Sequence, residues 1–210
     1  MRKADLRKNH EAFEEVLRRY GDFLGRMLGA RRVVRAAEDK REITESALLR
    51  ICAYWESLVV AEFVDCLNID SSRLAEHLGV VLPKHLSLSL CEAILLRDGY
   101  FDFRSVGDLK SRAKKMLPDH VDPFAKISNA VAREIDEVFV IRNYLAHRSK
   151  AARRSLERMY SSAYGFERFR EPGAFLLANG YERLKQYVGA FLQASQQMGQ
   201  IIPHRRKRSP

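Results

Sequence analysis

The chain has 210 residues, a length that predicts one domain with at most a small appendage, and 46% of them are hydrophobic, enough to fill a core. Its longest nearly apolar stretch, LVVAEFV at 58–64, is far short of a membrane span of roughly 20 residues, and MRKADLRKNHEAFEE lacks the apolar core of a secretory signal, so neither a membrane span nor a secretory signal is expected. A formal charge of +10 favours polyanionic partners, nucleic acid foremost.

The periodicity is helical nearly throughout, without internal repeats. A first helix over 6–28 places Phe13, Val16, Leu17, Tyr20, Leu24 and Met27 on one face, and 31–41 reads as a charged connection. A long helix over 44–67 follows. One of its stripes is Leu48, Cys52, Trp55, Val59, Glu62, Cys66, and the adjacent stripe is Leu49, Ala53, Glu56, Val60, Phe63, Leu67. A helix apolar over so much of its circumference belongs at the centre of a bundle. Glu56 and Glu62 fall among these apolar residues, and each needs a partner if buried. Cys52, Cys66 and Cys91 show neither C-x-x-C nor zinc-like spacing; they are expected to be small buried hydrophobes in a reducing cytoplasm.

A short helix over 72–77 is stopped by Gly79. Ser89 with Glu92, and Ser105 with Asp108, have capping-box spacing for helices ending before Gly99 and Pro118. Asp122 and Pro123 form a start signal for a helix running through IRNYLAHRSK, 141–150, as far as Tyr160. REPGAFLLANG then reads as a loop with a short extended piece. The last helix brings Leu184, Tyr187, Val188 and Phe191 inward. The order predicts an all-α bundle with long central helices and a short extended segment before the last one. Residues 1–43 are the N-terminal helix and connection, 44–202 the main helical domain, and 203–210 a basic tail.

The helix after Asp122 carries the chemistry. Its stripes, Val131, Ile135, Val138, Arg142, Leu145 and Ala132, Ile135, Phe139, Asn143, Ala146, set Arg142 and Asn143 on the face that should pack. His147 lies one turn beyond Asn143. Arg142 and His147, five residues apart, differ by about 140° around a regular helix, so one helix does not aim both at one small ligand. Convergence requires a distorted helix end or a second copy of the chain. By residue type alone, the trio fits a structural polar knot as well as a site.

RNYLAH resembles the signature of the HEPN superfamily, small helical bundles marked by Arg, four to six residues, then His, commonly with Asn directly after the Arg. AYWESLVV, 53–60, resembles the helix that packs against the motif helix in several HEPN ribonuclease families, and the order of the later elements resembles the RiboL-PSP-like branch. The likeness spans about Thr44 to Gln197. It implies a metal-independent endoribonuclease without cofactor, a homodimer in which two motifs face one cleft, and a setting as a toxin or anti-phage defence effector under an antitoxin or regulatory partner. By position Arg142, Asn143 and His147 become catalytic. Histidine transfers protons near neutral pH, and arginine's fork holds phosphate oxygens as charge develops. Glu56 is expected to hydrogen-bond and orient Arg142 or His147, and Arg148, Lys150, Arg154 and Arg158 to follow the RNA backbone. Two rivals stay open: a non-catalytic HEPN scaffold that binds RNA or protein, and an unrelated basic helical nucleic-acid binder. Tyr144 reads as packing, and His10, His77, His85, His120 and His204 as structural or surface residues.

Overall fold

Trp55 marks the centre of the molecule. Fully buried on α2 (Ala37–Ile69), it packs its ring 5.9 Å from Phe13 of α1 (Leu6–Gly29) and 5.5 Å from Phe191 near the chain's end. In this computed structural model residues 4–29, 37–96 and 103–201 are described; Gly99 and the basic tail 203–210, with His204, lie outside them. Among the described residues there are eight α-helices and no strand. None of these helices is long and apolar enough to cross a membrane.

The stripe Leu48, Cys52, Trp55, Val59, Glu62, Cys66 is buried throughout. The adjacent stripe is half-exposed at Leu49, Glu56 and Val60, and enters the core at Phe63 and Leu67. One end of α2 is therefore wrapped on all sides, and the other keeps a face toward solvent beside Glu56. Leu6, Phe13, Leu17 and Leu24 of α1 share this core, so the first helix is a full member of the bundle. Cys52, Cys66 and Cys91 are free thiols in the interior.

Local chemistry sets most helix ends. Gly79, in the left-handed region at φ 65°, closes α3 (Ser72–Leu78). Ser87, rather than Ser89, caps α4 (Leu88–Leu95) by accepting from the Leu90 amide at 3.2 Å. Ser105 caps α5 (Val106–Met116), accepting from Asp108 N–H at 3.0 Å. Asp122 accepts from the amides of Phe124 and Ala125, yet the turn it starts is a single 3-10 turn, Phe124–Lys126. Phe124, stacked 4.7 Å from Phe63, and Ile127 both point into the core and anchor this turn there. The α-helix proper, α6 (Asn129–His147), begins after Ser128.

The expected continuous helix through IRNYLAHRSK is in fact two. Arg148 adopts φ 46°, and Ser149 caps a new helix, α7 (Lys150–Tyr164), through the Ala152 amide at 3.1 Å. The expected extended piece is also helical: PGAFLLA opens α8 (Pro172–Met198), with Pro172 at its first position and Phe175 and Leu176 buried. Only Ala178 there is extended, followed by left-handed Asn179, Gly180 and Tyr181, which break α8 into two segments.

Candidate active site

On α6 the residues that pack are Val131, Ile135, Val138, Phe139, Ile141 and Tyr144. Ile141 and Tyr144 thus take the places that sequence periodicity gave to Arg142 and Leu145, and the polar trio turns outward. Asn143 and His147 are exposed, and the Arg142 side chain retains 29% of its surface at the edge of the core. Neither reactive side chain is walled off.

Arg142 is held at two points. Nη2 donates to Oε1 of Glu56 on α2 at 3.2 Å, and Nη1 donates to Oδ1 of Asn143 at 3.3 Å. The pairing expected for Glu56 is present, and its partner is the guanidinium. With its carbonyl turned to Arg142, Asn143 keeps its amide N–H groups for another acceptor. His147, on the last turn of α6, makes no hydrogen bond among the described residues and is free to meet a ligand. Burial pushes the nearby Cys52 thiol up to about 12, with Glu56 raising it further and Arg142 opposing, so it stays protonated and inert.

The four basic residues expected to follow RNA divide into two groups. Arg148 sits at the joint between α6 and α7, donating to Glu45 at 3.1 Å, lying 3.7 Å from Glu171 and covering the Tyr144 ring. Its charge is answered within the fold. Lys150, Arg154 and Arg158 are exposed on one face of α7. Between them Arg153 is tied to Glu157 at 2.9 Å.

Glu62 belongs elsewhere. It is fully buried, accepts from Asn9 at 3.3 Å, and lies 3.4 Å from His10 Nε2, whose Nδ1 is 2.8 Å from the Ser195 hydroxyl. Ser, His and carboxylate in line look like nucleophilic machinery, but Ser195 is 0% exposed and no substrate reaches it. The set is a structural knot joining α1, α2 and α8, and the expectation of a structural His10 agrees with that placement. Its signal was available: Leu6, His10, Phe13 and Leu17 share the helical spacing of one buried face.

Among the described residues, no three His, Cys, Asp or Glu side chains gather to hold a metal ion. Among the described residues, two broad clefts have linings that do not include the trio. One, along α5 to α8, mixes Lys110, Arg133 and Arg183 with Asp136 and Glu137. Another lies between α7 and residues 165–171 and is rich in arginine and phenylalanine. That second lining was missed in sequence, although GFERFREP, 165–172, alternates the two residue types openly. No known family model, curated protein or solved structure matches the chain.

Proposed function

We propose that the protein is an endoribonuclease of the HEPN type, working in the cytoplasm as a homodimer and without a metal ion. The observation carrying this reading is the last stretch of α6, where a guanidinium anchored by Glu56 and Asn143 and an unengaged imidazole both face solvent. The trio lines neither of the two clefts described above, which suits a groove completed by a second copy.

The reaction uses the substrate's own nucleophile. His147 removes the proton of a ribose 2′-OH, the oxygen attacks the adjacent phosphorus, and the bond to the 5′-oxygen breaks. That leaving oxygen takes a proton from an imidazolium, leaving a 2′,3′-cyclic phosphate and a 5′-hydroxyl. Arg142 offers its outward N–H groups to the non-bridging oxygens as negative charge grows, and Asn143 adds a donor from its free amide. DNA lacks the attacking hydroxyl and is spared. In the setting the resemblance implies, a toxin or anti-phage effector, an antitoxin or sensing partner holds this activity in check.

Incubating the purified protein with RNA in excess chelator tests the proposal. Cleavage to cyclic-phosphate ends is expected, with loss in folded His147→Ala and Arg142→Ala. Unchanged cutting by either variant overturns that residue's role, and strict dependence on added metal overturns the mechanism. RNA binding with no cutting supports the scaffold reading instead.

A further inference from the structure

The cleft between α7 and residues 165–171 has a volume of about 710 Å³ and is lined by Arg154, Arg158, Arg168, Phe166 and Phe169, with Tyr160 behind them. Its arginines have no carboxylate partner of their own among the described residues. Among the described residues, Arg154 and Arg168 form no ion pair, and Arg158 donates only to the Ser155 hydroxyl at 3.3 Å. Two carboxylates share the lining: Glu157, engaged by Arg153 at 2.9 Å, and the exposed Glu167. Three arginines against two carboxylates, one of them already engaged by Arg153, leave the lining with a positive surplus that favours an anion.

The aromatic rings narrow the choice of anion. Phe166 and Phe169 are partly buried, and each already carries a guanidinium: Arg170 lies 4.0 Å over Phe166, and Arg153 lies 4.2 Å over Phe169. Aromatic rings already matched to guanidinium groups, beside arginines without ion pairs, suit a ligand that has both phosphates and flat faces. An unpaired nucleotide has both. An acidic peptide or inorganic phosphate has only the charge, and a duplex hides its bases.

The cleft's wall packs against the end of α6 that carries the trio. Phe169 packs edge-on against Tyr144 at 5.5 Å, and Tyr144 is the residue directly after Asn143. We infer that this cleft is a subsite for a single-stranded stretch of RNA flanking the scissile bond, its arginines holding phosphates and its phenylalanines stacking bases. The inference rests on RNA being the ligand of the α6 site.

The test measures binding apart from cleavage. A fluorescein-labelled oligouridylate is titrated into the full-length His147→Ala protein by fluorescence anisotropy, with a duplex RNA of equal length and polyglutamate as alternatives. Single-stranded RNA is expected to bind tightest. Adding Arg154→Ala and Arg168→Ala should weaken it at least tenfold and reduce the slope of log affinity against log salt by about 1.4, roughly 0.7 per lost phosphate contact on a single strand. Phe166→Leu should cost about tenfold with the salt slope unchanged, because stacking is uncharged. Both substituted proteins are checked for unchanged thermal unfolding.

No binding, equal binding of duplex, tighter binding of polyglutamate, or unchanged affinity in the arginine variant each overturns the subsite. The two proposals fail separately. RNA held through this cleft but never cut by the wild-type chain leaves the subsite standing and removes the nuclease; RNA cut normally when Arg154→Ala and Arg168→Ala are placed in the chain with His147 intact does the reverse.

Discussion

Glu56 and Arg142 lie 3.2 Å apart, with the carboxylate 18% and the guanidinium 29% exposed. In that half-dry setting the carboxylate fixes which N–H groups of the fork face outward, a positioning duty that an uncharged oxygen also performs. Glu56→Gln should therefore keep turnover within a few-fold, whereas Glu56→Ala should lower kcat about tenfold with KM little changed. A loss confined to KM, or equal losses in both variants, would refute the positioning role. Arg142→Lys tests the fork itself: a point charge on a flexible stem should lose about a hundredfold in kcat, the scale of one oxyanion donor. Glu62 illustrates the opposite condition. Burial pushes its carboxyl above the usual range, against the lowering effect of His10 and Asn9. A group raised on folding binds its proton more tightly in the folded state. Its stabilising contribution is present at pH below the ordinary carboxylate value and is lost as pH rises through the folded value, at no more than about 1.4 kcal/mol per pH unit. Asp65, Asp122 and Asp136 are raised by burial too and act with the same sign. Denaturant unfolding from pH 5 to pH 8 should show stability falling with pH, and Glu62→Gln should flatten that fall.

Among the elements, the joint between α6 and α7 holds the site at a helix end. Arg148 is left-handed at φ 46°, a conformation costing a non-glycine residue about 1 kcal/mol, and its ion pairs to Glu45 and Glu171 keep it there. Arg148→Ala keeps the strain and loses the pairs, for an expected destabilisation of about 1–2 kcal/mol; Arg148→Gly loses the pairs but relieves the strain and should be the more stable of the two. The reverse order in urea unfolding would show that the joint is not held this way. Close by, the Gly173 amide donates to Glu45 at 2.8 Å, and a Cβ at Gly173 would lie 2.6 Å from Arg41 Cβ and 2.8 Å from its Cα. Gly173→Ala must therefore push α8 off α2, a loss of about 1–3 kcal/mol measurable by thermal unfolding. These same places separate what was legible in sequence from what was not. The buried stripe of α2, the Ser105 cap and the Gly79 stop are written in residues a few positions apart. The break at Arg148 is not, because lysine, alanine and arginine after it favour helix and the deciding carboxylate, Glu45, lies 103 residues away. Pro172 and Gly173 looked like breakers; one is a favoured first helical residue and the other is there for lack of room. At the candidate site, the partnership of Glu56 with Arg142 was readable. The outward turn of the trio was not, since periodicity cannot separate Ile141 from Arg142 by one column of the helix.

For the whole molecule, the decisive question for the proposed nuclease is whether one chain or two would build its centre. About 140° separates Arg142 from His147 around α6, and the helix runs to His147, so the break at Arg148 comes one residue too late to bring them together. Two copies related by a two-fold axis remove the difficulty: each presents its arginine toward the other's histidine, and both sites form at once. The surplus of +10 works against such pairing unless the facing surfaces are locally compensated, and the α6 end meets that condition, with Arg142 matched by Glu56 and Arg148 by Glu45 and Glu171. The strongly basic face of α7 is then left to RNA. A mixture of two dead variants tests this arrangement. Arg142→Ala supplies an intact histidine and His147→Ala an intact arginine, so a mixed dimer holds one complete site and one that lacks both groups. With equal amounts and free exchange, half the dimers are mixed and each has one of its two sites, so about a quarter of wild-type activity should return. Dilution below the dimer's dissociation constant should abolish the rescue along with wild-type activity. If the mixture stays as inactive as its components while subunit exchange is verified by labelled protomers, each centre belongs to a single chain, and the shared-site geometry is wrong.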